Sequence, residues 1–284
     1  MKKELKERFP KWIKEQGANP LILSDDIDSL MSYIFLKDNF NCKVRYFYDS
    51  NGENFTHKLY KQKGFDYKLY GKKAIAVDLA LESYYAWDNH VVKYATDDTY
   101  NKNSANLNII DNICNYNYTE KWCVSTYITI LAYYNVDIKS WTREQLAILC
   151  AIDGLYYPFQ NNYSSKIDFK SIATEHLEQL DYGFLANFIE DNLDYIEKLK
   201  KDLNLDSKIK IVNGKFTTNI KLDKLSKIFN TDISLPKGIF ELKQTLHKQF
   251  KNDLPKNYLK ENNCEGKKMR NFALVKRYKV VYSY

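Results

Sequence analysis

Long apolar runs are missing from this 284-residue sequence. No stretch approaches the ~20 apolar residues that a membrane-spanning helix needs, so the sequence predicts no membrane span. Residues 1–7 are mostly charged and lack the apolar core of a secretory signal. We therefore expect a cytoplasmic protein with no membrane partner.

Cysteine and glycine are also scarce, at 5 and 9 residues. The cysteines are odd in number and have no spacing typical of metal ligands. Several lie in apolar surroundings, which is typical of reduced core thiols in an intracellular protein. These positions are Cys42, Cys114, Cys123, Cys150 and Cys264.

Basic residues are concentrated near the end of the chain. Residues 201–284 hold 19 Lys+Arg and 8 Asp+Glu, a balance of +11, within a chain of net charge +7. One run of charges is usually a solvated face, but an asymmetry over a whole region favours a polyanionic partner. A nucleic acid or a nucleotide phosphate is the partner that this region predicts, and a protein partner is the alternative.

An acidic turn follows the first strongly apolar segment. Residues 21–23 are apolar, Asp25, Asp26 and Asp28 come next, and a helix-like apolar pattern begins at Leu30. The order predicts a buried strand, a charged turn and a helix. Crowded carboxylates at the carboxyl end of a strand favour a divalent cation. A solvated loop in which Asp26 or Asp28 caps the helix is the alternative.

Three further segments deliver polar residues at the end of an apolar element or beside one. An apolar strand at 74–78 ends at Asp78, and Asp88, Asn89 and His90 lead into a second expected strand at 89–93. An apolar helix then delivers Asp153 just before a glycine. Each acid has a structural alternative, because a lone Asp also caps helices or marks their ends.

Taken in order, these motifs resemble the DHH phosphoesterase superfamily, over roughly the first 160 residues. The resemblance implies a site with two Mn²⁺ or Mg²⁺ ions, whose shared hydroxide attacks a phosphodiester. It also implies that His90 acts in catalysis and meets the substrate phosphate. The catalytic carboxylates would be Asp26, Asp28, Asp78 and Asp153, and the metal ligands would be these four together with Asn89.

The sequence departs from that family pattern at several points. Asn89 stands where the family has its first His, and no His precedes Asp26, so Asp25 is an alternative ligand there. The Gly-Gly-Gly-His signature of the nuclease members is missing.

The retained acids and these departures favour two different functions. One is a metal-dependent phosphodiesterase acting on single-stranded nucleic acid, short oligonucleotides or (cyclic) nucleotides, and the retained acids favour it. The other is a catalytically reduced binding protein with an accessory or inhibitory role.

Alternating apolar strands and helical segments predict an α/β fold. We expect residues 1–204 to form a doubly wound, mainly parallel sheet flanked by helices. Residues 205–284 should form a smaller basic α+β lobe, with helices near 222–229 and 239–250 and a strand-like run at 272–284. Within that run, Lys276, Arg277 and Lys279 alternate with tyrosines, which suits contact with single-stranded nucleic acid. A protected edge strand is the alternative.

Overall fold

A computed structural model describes residues 1–52, 55–160, 167–255, 260 and 267–284. Cys264 lies outside these residues. Cys42, Cys114 and Cys150 are buried free thiols and Cys123 is half-buried, as expected for core cysteines. None of the described helices is long and apolar enough to cross a membrane.

The centre of the fold is a parallel sheet. Apolar residues fill β1, and all four of its positions are buried because strands flank it on both sides. The strand order in this part is β2-β1-β4-β5-β6. The strands are β1 (Pro20–Leu23), β2 (Lys43–Gly52), β4 (Ile75–Val77), β5 (Tyr85–Trp87) and β6 (Ser104–Ala105).

Antiparallel strands extend this sheet beyond β2, in the order β3-β9-β11-β10. The sheet curls, since single bridges join Leu81 to Asn271 and Val91 to Leu274. These bridges bring β10 back to the loops that follow β4 and β5. The added strands are β3 (Thr56–Gln62), β9 (Phe240–Asn252), β10 (Asn271–Lys276) and β11 (Lys279–Ser283), while β7 (Lys210–Val212) and β8 (Lys215–Thr217) form a separate hairpin.

Most of the described helices begin at a residue whose side chain caps their first backbone N–H groups. A capping box is present on α6, where Thr142 and Gln145 bond each other's backbone. The described helices are α1 (Lys3–Glu7), α2 (Ile27–Phe40), α3 (Tyr67–Tyr70), α4 (Leu107–Ile110), α5 (Thr126–Tyr133), α6 (Arg143–Ala151), α7 (Phe169–Gln179), α8 (Phe184–Asp202) and α9 (Leu222–Phe229). Short 3₁₀ segments occupy Lys11–Glu15, Tyr118–Glu120, Ile152–Gly154 and Tyr157–Phe159.

The main core lies on one face of the parallel strands. There Leu21 and Leu23 of β1 pack with Leu30 of α2 and Ile128 of α5. On the opposite face, Ile22 packs in a smaller cluster with residues from loops and from β9. The α/β class is therefore confirmed, but the doubly wound arrangement is not, because the long helices of the main core cover one face only.

Three strands of the C-terminal region, β9, β10 and β11, join the central sheet. The predicted helix at 239–250 is wrong, since β9 pairs with β3 on one side and with β11 on the other. Its apolar residues at 242, 246 and 250 have helical spacing. The segment is nevertheless a strand, because hydrogen bonds to β3 and β11 satisfy its backbone N–H and C=O groups. The expected separate lobe is not confirmed, and the boundary between 204 and 205 stays a prediction.

Candidate metal centre

The acidic turn after β1 is held by the start of α2 and by α5. Asp26 is the N-cap of α2 and accepts from the Ser29 N–H at 3.2 Å. Asp28 is fully buried, and its two oxygens accept from the N–H groups of Thr126 and Tyr127, each at 2.7 Å. These donors open α5, so its N-terminal dipole stabilises the Asp28 carboxylate.

Asp78 stands at the carboxyl end of β4, in the left-handed region at φ 55°. Its N–H donates to the Trp87 carbonyl at 2.8 Å, which holds the turn against β5. Its carboxylate accepts from the Ser24 hydroxyl at 3.2 Å and from the Thr126 hydroxyl at 3.1 Å. The side chain is thus buried and fixed between β1 and α5.

Asp88 and His90 follow β5. The strand expected at 89–93 is wrong, since these residues form a loop with a single bridge at Val91. The buried Asp88 carboxylate bonds His90 Nδ1 at 2.7 Å and accepts from Asn106 Nδ2 at 2.8 Å. Asp153 lies in the 3₁₀ segment after α6, also with a positive φ, of 53°. Both turns bring polar groups to the edge where Asp78 lies.

Two groups of potential metal ligands result, and they share Asp78. In the first, ligand atoms of Asp28, Asp78 and Asp153 all lie within 4.8 Å of one another. In the second, the same limit holds for Asp78, Asp88 and His90. The shared carboxylate places the two groups side by side.

Burial is the main cause of the raised carboxyl pKa values in this cluster. It raises the pKa of Asp28 and of Asp78 well above the usual value, and neighbouring carboxylates raise both further. Burial alone would lower the pKa of His90, but Asp88, Asp78 and Asp153 together raise it to about 10. A cation would relieve this repulsion, so the donor set fits a hard divalent ion.

Two predicted ligands have other partners in the structure. Asn89 donates its amide to the Asp153 carboxylate and, at 3.3 Å, to the Val124 carbonyl. Asp26 belongs to neither group of ligands in the described part of the chain, and its carboxylate pairs with Lys208 at 3.2 Å. The metal roles of both residues stay predictions.

Asp25, the alternative ligand, is engaged by a different set of donors. Its carboxylate accepts from the N–H and hydroxyl of Ser50 at 2.8 and 2.7 Å, and from Asn51 at 2.9 Å. Lys208 completes the set at 3.0 Å. Asp25 therefore fixes the end of β2 to the acidic turn.

A cleft with a cavity volume of about 270 Å³ opens beside the acids. Asp26, Asp78 and His90 line one part of it. Lys208, Lys248 and several apolar residues of β9, β10 and β11 line the rest. The basic region thus contributes to this cleft, but through residues that the sequence did not single out.

The three predicted substrate cations lie at the turn between β10 and β11. Lys276 and Arg277 are exposed, and Lys279 is half-buried with its ammonium 4.6 Å from the centre of the Phe250 ring. None of them lines the cleft, although their neighbour Val275 does. Their contact with nucleic acid stays a prediction.

Sequence reasoning missed Asp88 as a ligand and Lys208 as a partner of the acids. Asp88 carries a local signal, since it follows an apolar strand directly before Asn89 and His90. Lys208 carries no local sequence signal, because its contact depends on how distant segments meet.

Comparison of the chain with known protein families, with curated proteins and with solved structures finds no match. The DHH resemblance therefore stays a prediction.

Proposed function

We propose that this protein is a divalent-metal-dependent phosphodiesterase. The observation that carries the proposal is that Asp78 belongs to both groups of potential ligands. One carboxylate between two adjoining groups is what a pair of bridged cations needs. Asp28 and Asp153 would complete one ion's ligands, and Asp88 and His90 the other's.

The ligand chemistry favours manganese or magnesium. Carboxylate oxygens suit both ions, and the imidazole of His90 adds a nitrogen donor that suits manganese better than magnesium. Bound ions would supply a nucleophilic hydroxide and stabilise charge on phosphoryl oxygens. The protein's own contribution is to fix the carboxylates through Ser24, Thr126 and the N-terminus of α5.

The walls of the cleft support a substrate that carries phosphate. Lys208 and Lys248 line the same cavity as Asp78 and His90, so fixed cations face the acids. Asp88 holds His90 Nδ1, which leaves Nε2 as the ring nitrogen for an ion or a phosphate oxygen. The +11 balance of residues 201–284 favours single-stranded nucleic acid, short oligonucleotides or nucleotides as the class of substrate.

A second function has its own supporting observations. Lys208 already pairs with Asp25 and Asp26. Asn89, which stands where the DHH family has a His ligand, donates to Asp153. Both features reduce the anionic charge that is open to metal ions. They favour a catalytically reduced protein that binds a nucleotide, a nucleic acid or a protein partner.

Manganese calorimetry and hydrolysis of bis(p-nitrophenyl) phosphate separate the two functions. The phosphodiesterase should bind manganese and cleave this diester, and Asp78→Ala should abolish both. Asp191→Ala removes an exposed carboxylate from α8 and is the matched control. Manganese binding without hydrolysis of this diester or of short oligonucleotides would favour the binding protein, and no manganese binding would refute the metal centre.

A further inference from the structure

A second and larger cavity, of about 430 Å³, lies on the sheet face away from the main core. We call it the tyrosine cavity, because Tyr46, Tyr48, Tyr67 and Tyr84 line it. Its apolar floor is formed by Ile22 and residues of β3, β9 and nearby loops. The volume is within the range of small-molecule sites.

Two of the four tyrosines in this cavity are open to solvent. Tyr67 and Tyr84 are 38% and 48% exposed, while Tyr46 and Tyr48 are buried. Tyr84 also has φ 87°, a backbone conformation that is strained for a bulky residue. Strain of this kind is retained where the surroundings hold a side chain in place, often at a ligand site.

The cations of the tyrosine cavity outnumber its acids. Lys61, Lys68, Lys243 and Arg270 line it, against the single carboxylate of Asp66. None of these four cations forms a salt bridge within the described ranges. The Lys243 ammonium lies 5.1 Å from the centre of the Tyr46 ring, so cationic and aromatic surfaces adjoin. This combination selects an anion that has a planar, partly apolar body.

We propose that the tyrosine cavity binds a nucleoside phosphate, with the base against Tyr67 and Tyr84 and the phosphates against Lys243 and Arg270. The volume suits one nucleotide and the surplus of cations suits its phosphates. The site is distinct from the acidic cleft, although Tyr48 lines both cavities and forms a shared wall. The proposal does not depend on the metal centre.

Calorimetry with ADP, adenosine and inorganic phosphate tests the two halves of the ligand separately. The titrations contain EDTA, which removes divalent ions from the acidic cleft. ADP should bind, and adenosine and phosphate should each bind at least about tenfold more weakly, because each lacks one recognised part. Equal binding of ADP and phosphate would contradict a role for the rings.

Variants locate the ligand within the molecule. Lys243→Gln with Arg270→Gln, and Tyr67→Ala or Tyr84→Ala, should each weaken ADP binding at least about tenfold. Lys221→Gln with Lys224→Gln removes the same charge from exposed positions and should leave binding unchanged. Asp78→Asn alters the acidic cleft alone and should also leave it unchanged.

Two results would overturn the proposal. One is no ADP binding at millimolar concentration. The other is binding that is lost in Asp78→Asn and insensitive to the variants of the tyrosine cavity. Thermal melting identifies variants that unfold, and the exposed Tyr67→Ala and the lysine–arginine pair keep the test decisive if Tyr84→Ala does not fold.

Discussion

Lys208 and Asp26 form an ion pair of 3.2 Å although 182 residues separate them in the chain. The same ammonium lies 3.0 Å from Asp25, so one lysine pairs with two of the three acids of the turn. Burial alone would lower the pKa of Lys208, but the charges of Asp26 and Asp25 and their hydrogen bonds to the ammonium raise it above its usual value. The lysine is therefore a permanent cation beside the candidate metal centre.

Removing this cation should tighten metal binding. In Lys208→Gln the carboxylates of Asp25 and Asp26 lose their shared cation, so we expect manganese to bind about tenfold more tightly, equivalent to about 1.4 kcal/mol. Calorimetry measures the change. Lys210→Gln removes the same charge from an exposed position nearby and should bind manganese like the unaltered protein. Equal affinities in both variants would show that Lys208 does not compete with the metal.

Asn89→His should also strengthen manganese binding. The Asn89 side chain already reaches the Asp153 carboxylate, so an imidazole there would adjoin the first group of ligands. An imidazole nitrogen is a better manganese ligand than an amide, and we expect about a tenfold lower Kd. Asn89→Ala is the control, since it also removes the amide donor. If both variants gain equally, the gain comes from the lost amide and not from a new ligand.

Reversing the charges between β10 and β11 should change the salt dependence of binding to an oligonucleotide. Each phosphate of a single strand that is neutralised contributes about −0.7 to the log–log slope, so losing three contacts should flatten it by up to roughly 2. Fluorescence anisotropy with labelled oligo(dT) measures the slopes of the unaltered protein and of Lys276→Glu/Arg277→Glu/Lys279→Glu.

A triple reversal on α9 is the matched control, because Lys221, Lys224 and Lys227 are exposed and lie outside the cleft. The same slope in both triple variants would mean that the turn between β10 and β11 is only a protected edge.

Acid should destabilise the protein through His57. Burial, followed by Lys248, lowers its pKa to about 4, and its Nδ1 lies 2.7 Å from the Tyr48 hydroxyl. Below the pKa of about 6.5 that His57 has in the unfolded chain, the unfolded chain binds a proton at this residue and the folded protein does not. The free energy of unfolding therefore falls as the pH falls. Between pH 7.5 and 5 this histidine should cost about 2 kcal/mol.

The comparison with His57→Gln isolates that effect. Denaturant unfolding at both pH values should show the unaltered protein losing about 2 kcal/mol more than the variant. The raised carboxyl pKa values of Asp28 and Asp78 act in the opposite direction, but they are common to both proteins and cancel. His247→Gln, at an exposed position, should retain the full loss. Parallel curves for the unaltered protein and His57→Gln would contradict the assignment.

The sequence predicted those parts of the site that local order determines. Asp78 was predicted because it follows a short apolar strand, and parallel strands bring their carboxyl ends to one edge. Asp88 follows a strand of the same kind, but it was not predicted as a ligand. The cap of α6 at Thr142 has a similar local origin.

The remaining features depend on long-range pairing. The pattern of β9 has helical spacing, and only the ladders offered by β3 and β11 make it a strand. Lys208 reaches the acidic turn because the Ile209 N–H donates to the Asp25 carbonyl at 2.8 Å. No pattern in the sequence around either residue predicts this contact. The joining of β9, β10 and β11 to the central sheet also depends on such pairing.

The position of β9 between β3 and β11 sets an order of assembly during synthesis. Until the ribosome has released residues 240–252, β3 is an unpaired edge that another chain can join. The acids are made in the first 153 residues, yet Lys208, Lys248 and the strands that face them are made much later. A nascent chain therefore carries a concentrated negative charge before its opposing wall exists, and slow, non-local closure of the sheet is the step that makes the cleft.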